Sequence, residues 1–215
     1  MAENEMIRLR ITFSKQGALR FIGHLDLAKT WERVLRRAGM PLVYSQGFNP
    51  QPRMQIASAL PLGVSSDCEM LDIWLAAAVP LADLPERLNA VSPVGLVTSA
   101  AEPVELKAPA LQAVLASADY LITIDEVDDG ELRRRIEALL AANHLERDRR
   151  GKTYDLRPRI LELAPQGAGT VRARLSLGQQ GTARPDEVIA TLELSPNQAR
   201  IHRLAINLTD DAAEA

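Results

Sequence analysis

The stretch Ile7-Arg8-Leu9-Arg10-Ile11-Thr12-Phe13 alternates without a break. On an extended backbone successive side chains point to opposite faces, so Ile7, Leu9, Ile11 and Phe13 share one face and Arg8, Arg10 and Thr12 the other. The pattern predicts a half-buried strand. A helix follows over residues 25–38, with Leu27, Ala28, Trp31, Val34, Leu35 and Ala38 on its apolar side. Lys29, Arg33, Arg36 and Arg37 crowd the other side, and Gly39 and Pro41 end the helix. A short strand at 42–45, an alternating strand at 69–75, a helix at 81–89 and a strand at 95–99 complete the order strand, helix, strand, strand, helix, strand. Residues 46–66, punctuated by proline and glycine, resist assignment.

The order recurs. Strands are expected at 119–125, 154–163, 171–177 and 200–208, and helices at 129–143 and 184–192, with Pro158 interrupting the second of these strands. The chain therefore reads as α+β, built of two tandem ferredoxin-like (βαββαβ) units with antiparallel sheets. The first unit spans 1–102, a linker 103–117 holds one helical turn, the second unit spans 118–208, and an acidic tail, 209–215, is expected to be disordered.

Composition narrows the class. Hydrophobic residues make up 47% and charged residues 25%, as in a globular protein. No apolar run approaches the roughly 20 residues that span a bilayer. Residues 1–6 are acidic and polar, unlike a secretory signal. Cys68 is the only cysteine, which excludes an internal disulfide and fits a reducing cytoplasm. It also excludes an all-cysteine zinc site or an iron–sulfur cluster held by this chain alone. Net charge is −3, but unevenly spread: +5 over residues 1–60, −11 over 61–131 and +3 over 132–215. An acidic total leaves local basic patches free to meet a phosphate chain.

Three motifs invite a functional reading, each beside a structural one. Gly23-His24-Leu25-Asp26-Leu27 lies where a loop enters the first helix. Amides there attract anions, and His24 with Asp26 could act as acid and base; equally, Asp26 offsets the helix dipole and His24 makes a structural hydrogen bond. Ser45-Gln46-Gly47-Phe48-Asn49-Pro50-Gln51-Pro52-Arg53-Met54 is a stiff loop. Phe48, Asn49, Gln51 and Arg53 are types that stack on bases or bond to phosphates, or else the segment is a crossover with Phe48 and Met54 packed on the core. Tyr154-Asp155-Leu156-Arg157-Pro158-Arg159, with Arg184-Pro185-Asp186, reads as a buried Arg–Asp pair fixing two loops or as further RNA contact. The clusters Arg133-Arg134-Arg135 and 147–152 read as solvated faces or as an extension of an RNA track. His24, His144 and His202 are scattered, so no metal site is expected. The Gly-x-x-x-x-Gly-Lys run, the Gly-x-Gly-x-x-Gly fingerprint and the Gly-x-Ser-x-Gly elbow are absent.

Phe21-Ile22-Gly23-His24-Leu25-Asp26-Leu27, the helix ending Arg36-Arg37-Ala38, Ser45-Gln46-Gly47-Phe48-Asn49-Pro50 and Ala59-Leu60-Pro61-Leu62-Gly63-Val64 together resemble the uncharacterised bacterial radical-SAM-linked protein family. The match is strongest over residues 8–74. Gln51 stands where that family's pattern has a histidine, which takes a second imidazole away from the loop. The resemblance implies a radical-SAM protein as partner. That partner would carry the iron–sulfur cluster and S-adenosylmethionine, since this chain's one cysteine cannot supply three thiolates. Family members sit near genes of RNA metabolism, which implies RNA as substrate.

Three functions follow as expectations. The first is an accessory protein that binds RNA through Arg8, Arg10, His24, Arg33, Arg36, Phe48, Asn49, Gln51, Arg53 and Arg157 and presents it to a radical-SAM enzyme for tRNA or rRNA modification. The second is an adaptor that binds the radical-SAM partner alone. The third is a metal-independent endoribonuclease using His24, by analogy with CRISPR repeat-processing enzymes of tandem ferredoxin-like build. Their glycine-rich C-terminal loop has no counterpart here, because residues 194–207 contain no glycine.

Overall fold

The structure, a computed structural model, describes residues 6–178 and 181–209. They are α+β, and they fall into two compact units: one within Met1–Val114 and Thr209–Ala215, the other Leu115–Leu208. From Asp210 onward the expected acidic tail lies outside the described residues.

In unit 1, β1 (Ile7–Lys15), α1 (His24–Arg37), β2 (Met54–Ile56), β3 (Ser65–Leu75), α2 (Leu84–Asn89) and β4 (Leu96–Val104) succeed one another. The sheet order is β4-β1-β3-β2, and every pairing is antiparallel. Leu9, Ile11 and Phe13 of β1 and Leu71 and Ile73 of β3 face one way, and Leu27, Trp31, Val34 and Leu35 of α1 with Leu84 and Leu88 of α2 close over them. Phe13 meets Trp31 edge to face, with ring centroids 4.9 Å apart. α1 ends where Gly39 takes a φ of +67°, and the N–H of Met40 donates to the Leu35 carbonyl.

Two expectations for this unit are corrected. The strand placed at 42–45 is reduced to isolated bridges, Leu42 to Leu75 and Tyr44 to Pro52, and the strand that pairs β3 is Met54–Ile56. Proline and glycine hold 46–53 out of any ladder, and regular pairing resumes only beyond Pro52. β4 runs on to Val104 through Pro103; an edge strand tolerates a proline because its outer N–H needs no partner.

Nor is β1 half-buried. Arg8 and Asp72 are 2% and 0% exposed. Arg8 donates from Nε (3.0 Å) and Nη2 (2.6 Å) to Asp72 Oδ2, and Arg10 donates from Nε to Oδ1 at 2.9 Å. Arg8 also donates to the carbonyls of Ala108 (2.7 Å) and Pro109 (2.9 Å). Those bonds hold residues 105–114 against the strands, helped by Gln55, whose Oε1 accepts from Leu111 N–H. Alternation reported the two faces of β1 correctly. It could not report that an arginine-bearing face would be covered by a later segment.

In unit 2, β5 (Leu115–Ile124), α3 (Asp129–Ala141), β6 (Glu146–Arg149), β7 (Lys152–Asp155), β8 (Ile160–Gly167), β9 (Thr170–Ser176), α4 (Pro185–Thr191) and β10 (Ala199–Leu208) follow in order. The order β10-β5-β9-β8, all antiparallel, repeats that of unit 1 when each unit's four main strands are counted from its own first. The hairpin β6–β7 is additional. Its turn, Arg150-Gly151, has φ of 56° and 75°, the geometry of a two-residue hairpin. The single strand expected at 154–163 is therefore two strands, separated by a 3-10 turn at Arg157–Arg159. A buried acid again holds two bases: Asp119 on β5 accepts from Arg174 (2.7 Å) and Arg172 (3.4 Å) on β9. No helix among the described residues is long and apolar enough to cross a membrane.

Replacing Asp72 with alanine leaves two buried guanidinium groups without their counter-charge. Breaking a buried ion pair this way costs about 3–5 kcal/mol. Urea unfolding of D72A is expected to give an unfolding free energy lowered by that amount, and a wild-type value would show that the cluster contributes nothing.

Candidate functional site

The segments 21–27 and 59–64 come together. A 3-10 turn, Gly17–Phe21, leads to α1, and its Arg20 carbonyl accepts from Gly63 N–H at 2.8 Å. Gly63 has a φ of +83°, and a Cβ there would lie 3.8 Å from the Phe21 ring. Beneath, the buried Lys15 donates from Nζ to the Ile22 carbonyl at 3.1 Å. Phe21, Leu25 and Leu62 are left exposed on this surface. His24 is the first residue of α1 and is exposed, with Asp26 in the same first turn. The His24 side chain bonds to no other described residue, so no described residue holds its ring in place. Among the described residues no three His, Cys, Asp or Glu side chains gather as a metal site.

The loop 44–53 is braced at its base and open at its tip. Val43 N–H donates to the Trp74 carbonyl (2.9 Å) and Arg53 N–H to the Val43 carbonyl (2.7 Å). Ser45 N–H donates to the Gln51 carbonyl (2.8 Å), and Gln51 N–H to Ser45 Oγ (3.0 Å). Within this closed base Gln51 Nε2 reaches Asn49 Oδ1 at 3.2 Å. Phe48 projects fully into solvent instead of packing on the core. Arg53 lies over the Trp74 ring at 4.5 Å, and Arg8 lies over the same ring at 5.1 Å.

α1 adds charge beside the loop. Arg36 is held by Glu32 at 3.0 Å and lies over the Tyr44 ring at 5.7 Å. Arg33 and Arg37 point to the opposite flank of the helix. There they line a groove of about 290 Å³ with Leu19, Thr30, Val34 and residues 91–93.

The expected site thus divides. His24, Arg33, Arg36, Phe48, Asn49, Gln51 and Arg53 are exposed on unit 1, around α1 and the loop. Arg8 and Arg10 are spent on Asp72 and lie beneath the surface, so they cannot form an exposed basic track. Arg157, in unit 2, donates to the Leu140 carbonyl from Nε (3.2 Å) and Nη2 (3.0 Å) and to the Ile160 carbonyl (3.3 Å), closing the end of α3. The pair expected to tie 154–159 to 184–186 is also different. Arg184 bonds Asp186 within its own loop (3.0 Å), and Arg149 holds Glu187 instead. Tyr154 sits in that cluster, with Arg149 bonded to its hydroxyl at 3.0 Å and Arg159 over its ring at 4.1 Å.

Sequence reading missed Tyr44, Trp74 and Arg37 as site residues. Arg37 had a signal: neither it nor Arg33 has an acidic residue three or four positions away along the helix, whereas Arg36 has Glu32. Tyr44 and Trp74 had none, because only the tertiary fold brings arginines over their rings.

Fold and surface define a two-unit α+β protein with a basic helix and a braced aromatic loop. Over residues 8–185 it matches the family described as an uncharacterized protein conserved in bacteria (DUF2344), and the chain belongs to that family. No curated protein matches it. Among solved structures it is similar to a chain in a crystal structure of a Cbf5-Nop10-Gar1 complex, at 10% identity and a TM-score of 0.47, covering 92% of this chain and 48% of that one. It therefore spans about half the length of that chain.

Asp119 and Glu187 are two of the unit 2 carboxylates that contribute to its response to acid. The hydrogen bond from Arg174 holds the Asp119 carboxyl below its ordinary value, against the effect of burial and with further help from Arg172. For Glu187 burial is the largest single influence and pushes upward, but bonds from Arg149, Tyr154 and the Arg184 N–H outweigh it and leave it lowered. The unfolded chain takes up these protons first, so the stability is full above the ordinary carboxylate range and is lost as pH falls through the folded values. Thermal midpoints followed by circular dichroism are expected to drop below about pH 4, less steeply in Asp119→Asn. Equal slopes in the two proteins would count against the Asp119 assignment.

Proposed function

We propose that this protein is a cytoplasmic RNA-binding accessory that presents its substrate to a radical-SAM enzyme modifying tRNA or rRNA. The observation that carries the reading is Phe48: a fully exposed aromatic at the tip of a loop braced at its base, beside Arg53 and the basic face of α1. A single-stranded base stacks on such a ring whatever its sequence, and flanking cations take the phosphates. The strand order of each unit supports taking both as ferredoxin-like. The radical-SAM partner rests on the family resemblance of the 21–66 motifs and on the single cysteine of this chain. Cluster and S-adenosylmethionine would belong to that partner, with no cofactor assigned to this chain.

A second reading, an adaptor for the radical-SAM partner, is favoured by the exposed Phe21, Leu25 and Leu62, which make an apolar surface beside the α1 N-terminus. Co-purification with the partner that survives high salt and nuclease would favour it. Nothing comparable favours the endoribonuclease, since the His24 side chain bonds to no other described residue.

Filter binding of tRNA and rRNA fragments across a salt series tests the main reading. The logarithm of the affinity is expected to fall linearly with log salt. Phe48→Ala should weaken binding by about 1–3 kcal/mol, and Arg36→Ala should lower the salt slope by roughly one. Undetectable binding at low salt would overturn the proposal.

A further inference from the structure

The arginines of this protein are mostly committed. Arg8 and Arg10 hold Asp72, Arg149 holds Glu187, Arg172 and Arg174 hold Asp119, and Arg36 holds Glu32. Like those of Arg134 and Arg150, the side chains of Arg33 and Arg37 form no hydrogen bond or ion pair with another described residue. They stand one turn apart on α1, with Lys29 a further turn back, and like charges at that spacing oppose the helix. Both line the same groove, whose wall across from the helix is Val91, Ser92 and Pro93.

The groove has the shape of a divided site. Leu19, Val34, Val91 and Pro93 make an apolar part, and the two guanidinium groups make a cationic one. The hydroxyls are already donating, Thr30 to the Asp26 carbonyl (2.8 Å) and Ser92 to the Leu88 carbonyl (2.9 Å), so any anion bound here takes its donors from the arginines. Paired guanidinium groups match the oxygen geometry of a phosphate. Its volume, about 290 Å³, lies at the small end of ligand pockets, which begin near ~300 Å³. That suits one nucleotide and no longer piece of strand.

We infer that this groove is a nucleotide subsite, with Arg33 and Arg37 on a phosphate and the nucleoside against Leu19, Val91 and Pro93. It deepens the RNA-binding reading and rests on it for the source of the nucleotide. α1 would then carry RNA on both flanks, a base on Phe48 past Arg36 and a phosphate between Arg33 and Arg37.

Calorimetric titration at low salt with adenosine 5′-monophosphate, adenosine and inorganic phosphate tests this. The monophosphate is expected to bind more tightly than either part. Arg33→Gln and Arg37→Gln should each weaken it about tenfold or more. The same arginine variants should weaken RNA binding in the filter assay. If the monophosphate fails to bind, or binds equally to the arginine variants, the subsite is refuted. If inorganic phosphate binds as well as the monophosphate, the apolar part plays no role and the nucleotide assignment falls. RNA binding that depends on Phe48 but not on Arg33 or Arg37 would refute the subsite and leave the proposed function standing. Monophosphate binding without RNA binding would do the reverse.

Discussion

Asp72 is a single carboxylate with two guanidinium groups to neutralise, and it sits where no water can help. Burying this carboxylate takes Arg8 and Arg10 as counter-charges, and burying them takes Asp72. Much of unit 1 follows from that mutual need. Arg8 has donors left over, and they take the carbonyls of Ala108 and Pro109, which fixes the connection 105–114. Arg8 also lies against Trp74, the residue opposite it on β3, and the same ring carries Arg53. The Trp74 backbone in turn bonds to Val43 and Arg53. The exposed loop is thus hung from the middle of the sheet by its two ends, and its tip needs no packing to stay in place.

Much of this was legible in the sequence, and what was not has identifiable causes. The alternation from Ile7 to Phe13 and the helix ending at Gly39 are local signals, and both faces of each came out as the periodicity said. The alternation was silent on what covers the second face of β1, because that segment lies about a hundred residues on. The hairpin β6–β7 was hidden by its composition: Arg147, Arg149, Arg150 and Lys152 read as a solvated run. Arg-Gly is a weaker turn signal than Asn-Gly, and it passed as part of that charge run. Arginine was the least legible residue in the site. Arg8, Arg36 and Arg157 carry the same side chain, yet one is buried on an acid, one lies on an aromatic ring and one closes a helix.

That variety also sets the functional reading. A net charge of −3 would seem to argue against nucleic acid. The total matters less than which cations are free. Many of the guanidinium groups are held by carboxylates, backbone carbonyls or aromatic rings within the fold, and two of those that are not, Arg33 and Arg37, lie together on α1. Binding strength would then come from a handful of residues on one helix and from an aromatic side chain, not from a broad electropositive surface.

Each unit holds a buried aspartate between two arginines, but with the strands exchanged. In unit 1 the bases ride on the first strand and the acid on its neighbour; in unit 2 the acid rides on the first strand and the bases on its neighbour. Two units with the same strand order invite error during folding, because a strand of one could enter the matching place in the other. Were β1 to enter the place of β5, Arg10 would face Arg174, and β5 in the place of β1 would set Asp119 against Asp72. Like charges opposed in a buried ladder are strongly unfavourable. The exchanged charges work against that exchange of strands.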